Sequence, residues 1–337
     1  MSDNTVTVRA EELSALVSAK LAGSGMPKKD ADIVADVLVY ADLRGVHSHG
    51  VIRVEHYLKR ISAGGMNLAA DFELTRLKPS LALVDAKGAA GHVSMKYAAE
   101  RALEIAGAEG VAVVGVKNNS HCGALAYYVD MALKARKAAL VCGNVNKLVV
   151  PFGGAEPFFG SNPLAFGYPG EREDILLDMA TSEVAWGKIL THRERNAPIP
   201  DTWAVDGKGE RCTDPHQVEA LLPFGGAKGY GITAMVEALT GLLVGGVFGP
   251  HVKLMYGDYD AYRDLANLIV VIDPAVFWGG DGYLKLAQTM IDEIHRIPPA
   301  PGFERVLVPG EIERNCMARY SRDGIPVPKS IYEFLAA

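Results

Sequence analysis

The sequence has 337 residues, 49% hydrophobic and 22% charged, which excludes a disordered or fibrous chain and leaves ample material for a large core. At roughly 150 residues per domain it holds two or three domains, with 36 Gly and 18 Pro supplying turns. Its 34 Lys and Arg against 40 Asp and Glu give a net charge of −6, which argues against a phosphate-neutralising nucleic-acid surface.

The longest apolar runs, such as 138–143 and 268–272, fall far short of the ~20 residues that cross a bilayer, so no membrane association is expected. Met1-Ser2-Asp3-Asn4 lacks the basic and apolar stretches of a secretion signal. Cys122, Cys142, Cys212 and Cys316 show no C-x-x-C spacing, which fits reduced thiols in a cytoplasmic protein.

In chain order, Leu13, Leu16, Val17 and Leu21 share a helical face that stops at Gly23-Ser24-Gly25. A second helix starts near Asp30, buries Ile33, Val34, Val37 and Leu38, and ends at Arg44-Gly45. Val54, Tyr57, Leu58 and Ile61 predict a third before Gly64-Gly65. From about residue 80 short β-branched runs alternate with helical stretches, the pattern of an α/β layered fold. Strands are predicted at 81–84, 111–116, 138–142 and 268–272, and helices at 91–109, 124–135 and 230–245. The middle is rich in Gly and Pro and reads as irregular, and 297–301 reads as a connector.

A dinucleotide fingerprint is the first motif to seek. Gly229-Tyr230-Gly231-Ile232-Thr233-Ala234 fits G-x-G-x-x-A, yet it follows a Pro/Gly turn rather than a strand and lacks the acidic residue about 20 positions on. An ordinary Rossmann site is therefore not expected, and no P-loop is present. His47 and His49 alternate as strand-borne metal ligands would, but a helical setting would need i, i+4 spacing, so no metal is expected. His121 lies past an apolar strand and just before Cys122-Gly123, where an imidazole can take a proton from a hydroxyl. The same position also suits an incidental residue beside a helix cap. Arg53 offers a planar fork for a carboxylate, and Arg263 and Lys228 are further cations, although a solvated charge is the default for each.

Together, Arg44-Gly-Val-His-Ser-His-Gly50, Lys117-Asn-Asn-Ser-His-Cys-Gly123, Pro151-Phe-Gly-Gly154, Asn162-Pro-Leu-Ala-Phe166, Asp178-Met-Ala-Thr181 and Lys228-Gly-Tyr-Gly231 resemble the malate/L-lactate/L-sulfolactate dehydrogenase family over nearly the whole chain. The segments 38–42, 199–206, 255–256 and 299–303 resemble the branch of that family that oxidises ureidoglycolate to oxalurate. The resemblance implies an α/β, L-sulfolactate dehydrogenase-like fold whose nicotinamide-binding domain is not a Rossmann domain, with helical N- and C-terminal parts. It divides the chain into a helical, dimer-forming part at 1–75, a substrate-side α/β part at 76–120 and 285–337, and a cofactor domain at 121–284.

The implied roles are His121 as proton acceptor, Ser48 and His49 as the polar pair that orients the reacting oxygen, and Arg53 and Tyr57 as carboxylate ligands. Arg263 and Asn146 are implied at the substrate, and Val145, Met179, Ala180, Thr181, Lys228, Gly229, Gly310 and Glu311 at the cofactor. The branch carries Ser and Asp where this chain has Val145 and Asn146, so a backbone contact at Val145 replaces a hydroxyl contact. The neighbouring Lys147 leaves NADP as an alternative to NAD. The expected partner is a small 2-hydroxy acid, in a homodimer. A malate or lactate dehydrogenase, a reductase of another 2-keto acid or of a cyclic imine, and a metal-dependent hydrolase built on His47 and His49 are the alternatives.

Overall fold

The computed structural model describes residues 5–69 and 71–337; the reading of the first four residues lies outside that range. Strand β1 (Thr5–Val8) leads into helices α1 (Ala10–Gly23), α2 (Lys28–Leu43) and α3 (Val54–Ser62), with 3₁₀ turns at His47–His49 and Val51–Arg53 between the last two. Then come β2 (Glu73–Lys78), β3 (Leu81–Asp85), α4 (Gly91–Glu109), β4 (Val111–Asn119), α5 (Ala126–Lys134), β5 (Ala138–Gly143), β6 (Leu164–Tyr168) and β7 (Ile175–Met179). A lobe containing α6 (Trp186–Glu194), β8 (Ala204–Val205) and β9 (Ala220–Leu221) precedes α7 (Ala227–Glu237) and β10 (Leu265–Ile272). The remaining elements are α8 (Ala275–Trp278), α9 (Gly282–His295), α10 (Glu311–Asp323), β11 (Ile325–Pro328) and α11 (Lys329–Ala336).

Seven strands form one sheet in the order β2-β3-β4-β10-β5-β6-β7. Only β3 and β4 pair in parallel among the described residues; the other neighbours are antiparallel. Strand β10 lies between β4 and β5, and its sequence Leu-Ala-Asn-Leu-Ile-Val-Val-Ile is apolar on both faces because both are covered. Helices α4 and α5 pack their alanine-rich faces on one side, with Ala98, Ala102, Ala106 and Val129 fully buried against Val114, Val116 and Val141. Glycine 110, with φ 80°, ends α4 in a left-handed cap.

Leu13, Val17 and Leu21 are fully buried in a second core with Val34, Leu38 and Val54. Strand β11 pairs antiparallel with β1, and Ile325, Val327 and Leu335 join this core. Residues 325–336 therefore pack on the N-terminal helices. Strands β4 and β5, on either side of residue 120, are joined in one sheet through β10.

Register decides where the site sits. Asn119 pairs with Leu265, Asn267 with Gly143, Cys142 with Leu164, and Leu164 with Met179. The end of β4, the start of β10, the end of β5, the start of β6 and the end of β7 thus lie side by side at one end of the sheet. Strand β4 runs three residues beyond its predicted end because that pairing with β10 continues to Asn119.

Candidate active site

His121 projects from the loop that follows β4, and buried polar side chains fix that loop. Asn119, with no exposed surface, accepts from Ser94 Oγ at 2.6 Å and donates from Nδ2 to Asn267 Oδ1 at 2.8 Å, which ties α4, β4 and β10 together. Glycine 91, the first residue of α4, allows the helix to touch the loop: a Cβ there would stand 2.2 Å from the Ser120 carbonyl oxygen and 2.5 Å from that of His121.

Helix α3 and its leading 3₁₀ turn supply the opposite wall. Arg53, His56, Tyr57 and Arg60 fall at i, i+3, i+4 and i+7, one helical face. The Tyr57 hydroxyl lies 2.7 Å from His121 Nδ1 and 3.3 Å from His92 Nε2. The His49 ring stacks on His121 with centroids 5.8 Å apart, and Ser48 Oγ is 3.0 Å from His49 Nδ1. Arg53 Nε donates to the Ser48 carbonyl at 2.6 Å and its Nη1 to the Tyr256 hydroxyl. Arg60, 1% exposed, donates to the carbonyls of Leu254, Met255, Asp258 and Ala261, pinning the 254–261 loop onto α3.

That loop leads to Arg263, also 1% exposed. Its Nη2 donates to Asn146 Oδ1 at 2.8 Å and its Nε to the Lys253 carbonyl, while Nη1 has no partner among the described residues. Burial and the Arg60 guanidinium push Arg263 down to about 9. A buried guanidinium without a counter-ion is a site prepared for an anion. Burial first, then the charges of His49, Arg53, His92 and Arg263, hold His121 well below the ordinary histidine value. Burial and Arg53 take His49 down to about 4. Both imidazoles are neutral at pH 7, so each has a lone pair.

His47 and His49 diverge. His47 Nδ1 pairs with Asp42 Oδ1 at 2.7 Å and its ring faces Tyr320, so the two do not converge as ligands. Among the described residues no cluster of three or more His, Cys, Asp or Glu side chains gathers. Cys122 is buried and its thiol pushed up to about 12, a packing residue rather than a nucleophile.

Of the segments expected at the cofactor, Val145 and residues 179–181 follow β5 and β7 at the same end of the sheet and residues 228–229 open α7 beside them, whereas Gly310 lies beside Leu176, toward the other end of β7. The Thr181 N–H donates to the Ser161 carbonyl at 2.7 Å, and the Thr181 carbonyl accepts from Phe224 N–H at 3.1 Å, so residues 179–181 lie beside the turn that opens α7. In that turn Gly225 and Gly226 have φ of 56° and 66°, and a Cβ at Gly229 would stand 1.7 Å from the Phe224 carbonyl oxygen. Only glycine allows the helix to begin so close to the turn, and α7 starts at Ala227, three residues before its predicted start. Lys228 is exposed at this terminus. The Val145 N–H donates to Asn162 Oδ1 at 3.4 Å, and Asn162 donates to buried Glu237. Gly310 packs on β7, where a Cβ would meet the Leu176 carbonyl at 2.5 Å. The Glu311 carboxylate accepts from His295, Arg305 and the Val308 N–H, so its side chain is already occupied.

Residues 8–336 match the malate/L-lactate dehydrogenase family. The chain belongs to that family. It is 45% identical to the ureidoglycolate dehydrogenase (NAD(+)) of Escherichia coli (strain K12) over 330 residues, covering 97% of this chain and 94% of that one. The structure is similar to the sulfolactate dehydrogenase of Methanocaldococcus jannaschii, with TM-score 0.92 and 34% identity over 98% of this chain and 95% of the other. It is also similar to the malate dehydrogenase of Pyrococcus horikoshii OT3, with TM-score 0.90 and 33% identity over 99% and 95%. Sequence reasoning about this dehydrogenase missed His92, Arg60 and Asn119. The i, i+3, i+4, i+7 spacing from Arg53 was a readable signal for Arg60, whereas His92 inside a predicted helix carried none.

Proposed function

We propose that this dehydrogenase oxidises ureidoglycolate to oxalurate with NAD. The observation that carries the reading is a neutral His121 under the charges of Arg53 and Arg263, the latter buried with an unpartnered Nη1. Arg53 holds the substrate carboxylate, and Ser48 and His49 orient the hydroxyl beside His121. His121 takes the hydroxyl proton, a step worth roughly 10² to 10⁴ in rate. Asn146, whose Oδ1 is held by Arg263, presents its NH₂ to the ureido carbonyl. The 45% identity to an enzyme named for ureidoglycolate supports that substrate.

The glycine turn before α7 and the backbone at Val145, Met179, Ala180, Thr181, Gly229 and Gly310 fit an extended dinucleotide, with the α7 N-terminus and Lys228 toward its phosphates. Bound there, the nicotinamide supplies the hydride acceptor. Exposed Lys147 and Lys228 are compatible with an NADP phosphate as well.

The reading includes a cytoplasmic homodimer. Val276, Phe277, Trp278, Leu286 and Met290 on α8 and α9 are exposed apolar side chains that a second copy would cover. The four unpaired cysteines suit a reducing compartment. Among the described residues no helix is long and apolar enough to cross a membrane.

The test is nicotinamide absorbance with ureidoglycolate, malate and lactate, each with NAD and NADP. Ureidoglycolate with NAD gives the highest kcat/KM; faster turnover of malate or lactate overturns the substrate. His121→Ala retains cofactor binding and loses at least about 100-fold in kcat.

A further inference from the structure

We propose that His92, through the Tyr57 hydroxyl, sets the tautomer of His121 and so leaves His121 Nε2 unprotonated toward the substrate. The inference rests on the reading of His121 as the proton acceptor. Three aromatic side chains form one chain of contacts: His92 Nε2 to Tyr57 Oη at 3.3 Å, and Tyr57 Oη to His121 Nδ1 at 2.7 Å. Tyr57 is 2% and His92 1% exposed, so bulk water does not compete for the phenol proton. The rings touch pairwise, with centroids 5.1 Å apart for Tyr57 and His92 and 6.2 Å for His92 and His121.

A phenol has one proton and can donate it to only one of two acceptors. If it turns to His92, its lone pair faces His121, Nδ1 carries the imidazole proton, and Nε2 is the free base. If it turns to His121, Nδ1 accepts and Nε2 carries the proton, so the one free lone pair is spent on Tyr57 and none faces the substrate hydroxyl. The Gly123 N–H, 3.4 Å from the same Nδ1, pulls toward this second arrangement but is long for a hydrogen bond. In the proposed arrangement His92 carries its own proton on Nδ1, so its Nε2 is the alternative acceptor that decides between the two.

The fold holds His92 at that distance. Gly91 lets the first turn of α4 rest on the Ser120 and His121 carbonyls, and a Cβ at Gly123 would stand 3.3 Å from His92 Nε2. Two glycines thus clamp the His92 backbone and the His121 loop together. Tyr57, placed at the substrate carboxylate by resemblance, has its hydroxyl engaged between two histidines and acts as a positioning residue.

The test is ¹⁵N NMR of the full-length protein labelled at histidine, with His121 assigned by its loss in His121→Gln. The wild type shows His121 protonated at Nδ1; protonation at Nε2 overturns the proposal without any further variant. His92→Phe, which keeps an aromatic ring and removes the acceptor, moves the proton to Nε2 and lowers kcat about tenfold or more, with cofactor Kd unchanged within twofold. His92→Gln, whose amide oxygen can replace Nε2, restores the wild-type tautomer. If His92→Phe keeps both the tautomer and kcat, His92 has no such role. The NMR result stands whether or not ureidoglycolate is turned over, so a failure of the substrate reading is read separately from the absorbance assay.

Discussion

At the level of single residues, the site combines unpaired cations with neutral imidazoles, and each makes a different prediction. His121 is buried beside His49, Arg53, His92 and Arg263; burial first, then their charges, resist a positive charge on it. Its protonation is displaced to lower pH, and oxidation needs the neutral ring. The kcat/KM for oxidation therefore stays level down through pH 6.5, the ordinary histidine value, and falls only below it. A limb centred at or above 6.5 would remove His121 from the base role. Arg53 presents a fork between the Ser48 carbonyl and Tyr256. Arg53→Lys keeps the charge and loses the paired geometry, so KM rises about 10- to 100-fold, roughly 1.5–3 kcal/mol, while kcat changes little; an unchanged KM would place the carboxylate elsewhere. Much of this was legible in sequence, because His121, Arg53 and Arg263 are chemically conspicuous. The Tyr57 hydroxyl was not, since spacing shows which face a side chain occupies and not what its last atom touches.

Among the elements, α3 and the 254–263 segment work as one unit. Arg60 is spent on four carbonyls of that segment, which carries Tyr256 and Arg263 into the site. Arg60→Met fills a similar volume and releases all four. The segment then becomes the first point of limited proteolysis and KM rises at least several-fold, whereas resistance to cleavage equal to the wild type would show that packing alone holds it. The helices were the most readable part of the chain, since 91–109 was predicted and α4 spans Gly91–Glu109. The sheet was harder. Strand β2 was missed because Glu73-Leu-Thr-Arg-Leu-Lys is largely exposed and shows no apolar alternation. The central position of β10 is set by pairings with residues more than 120 positions away, which no local pattern records.

For the whole molecule, the core of the N-terminal helices is closed by a two-stranded clasp between β1 and β11. Ile325, Val327 and Leu335 are nearly fully buried beneath that clasp, each worth roughly 1.5–3 kcal/mol. A variant ending at Gly324 loses a large part of a typical domain's stability of about 5–15 kcal/mol. Its unfolding midpoint falls by about 10 °C or more in calorimetry, and a midpoint within about 2 °C of the wild type would show that the clasp is dispensable. Composition and charge were legible as those of a globular chain, whereas the pairing of β1 with β11 was not, because it joins segments more than 300 positions apart.

That clasp also orders events during synthesis. Residues 325–336 leave the ribosome after everything they cover, so the layer bearing Arg53 and Tyr57 waits, unsealed, until they emerge. A nascent product stopped before them would thus present the imidazole and the guanidinium on an unfinished scaffold, and competence for turnover would arrive together with α11.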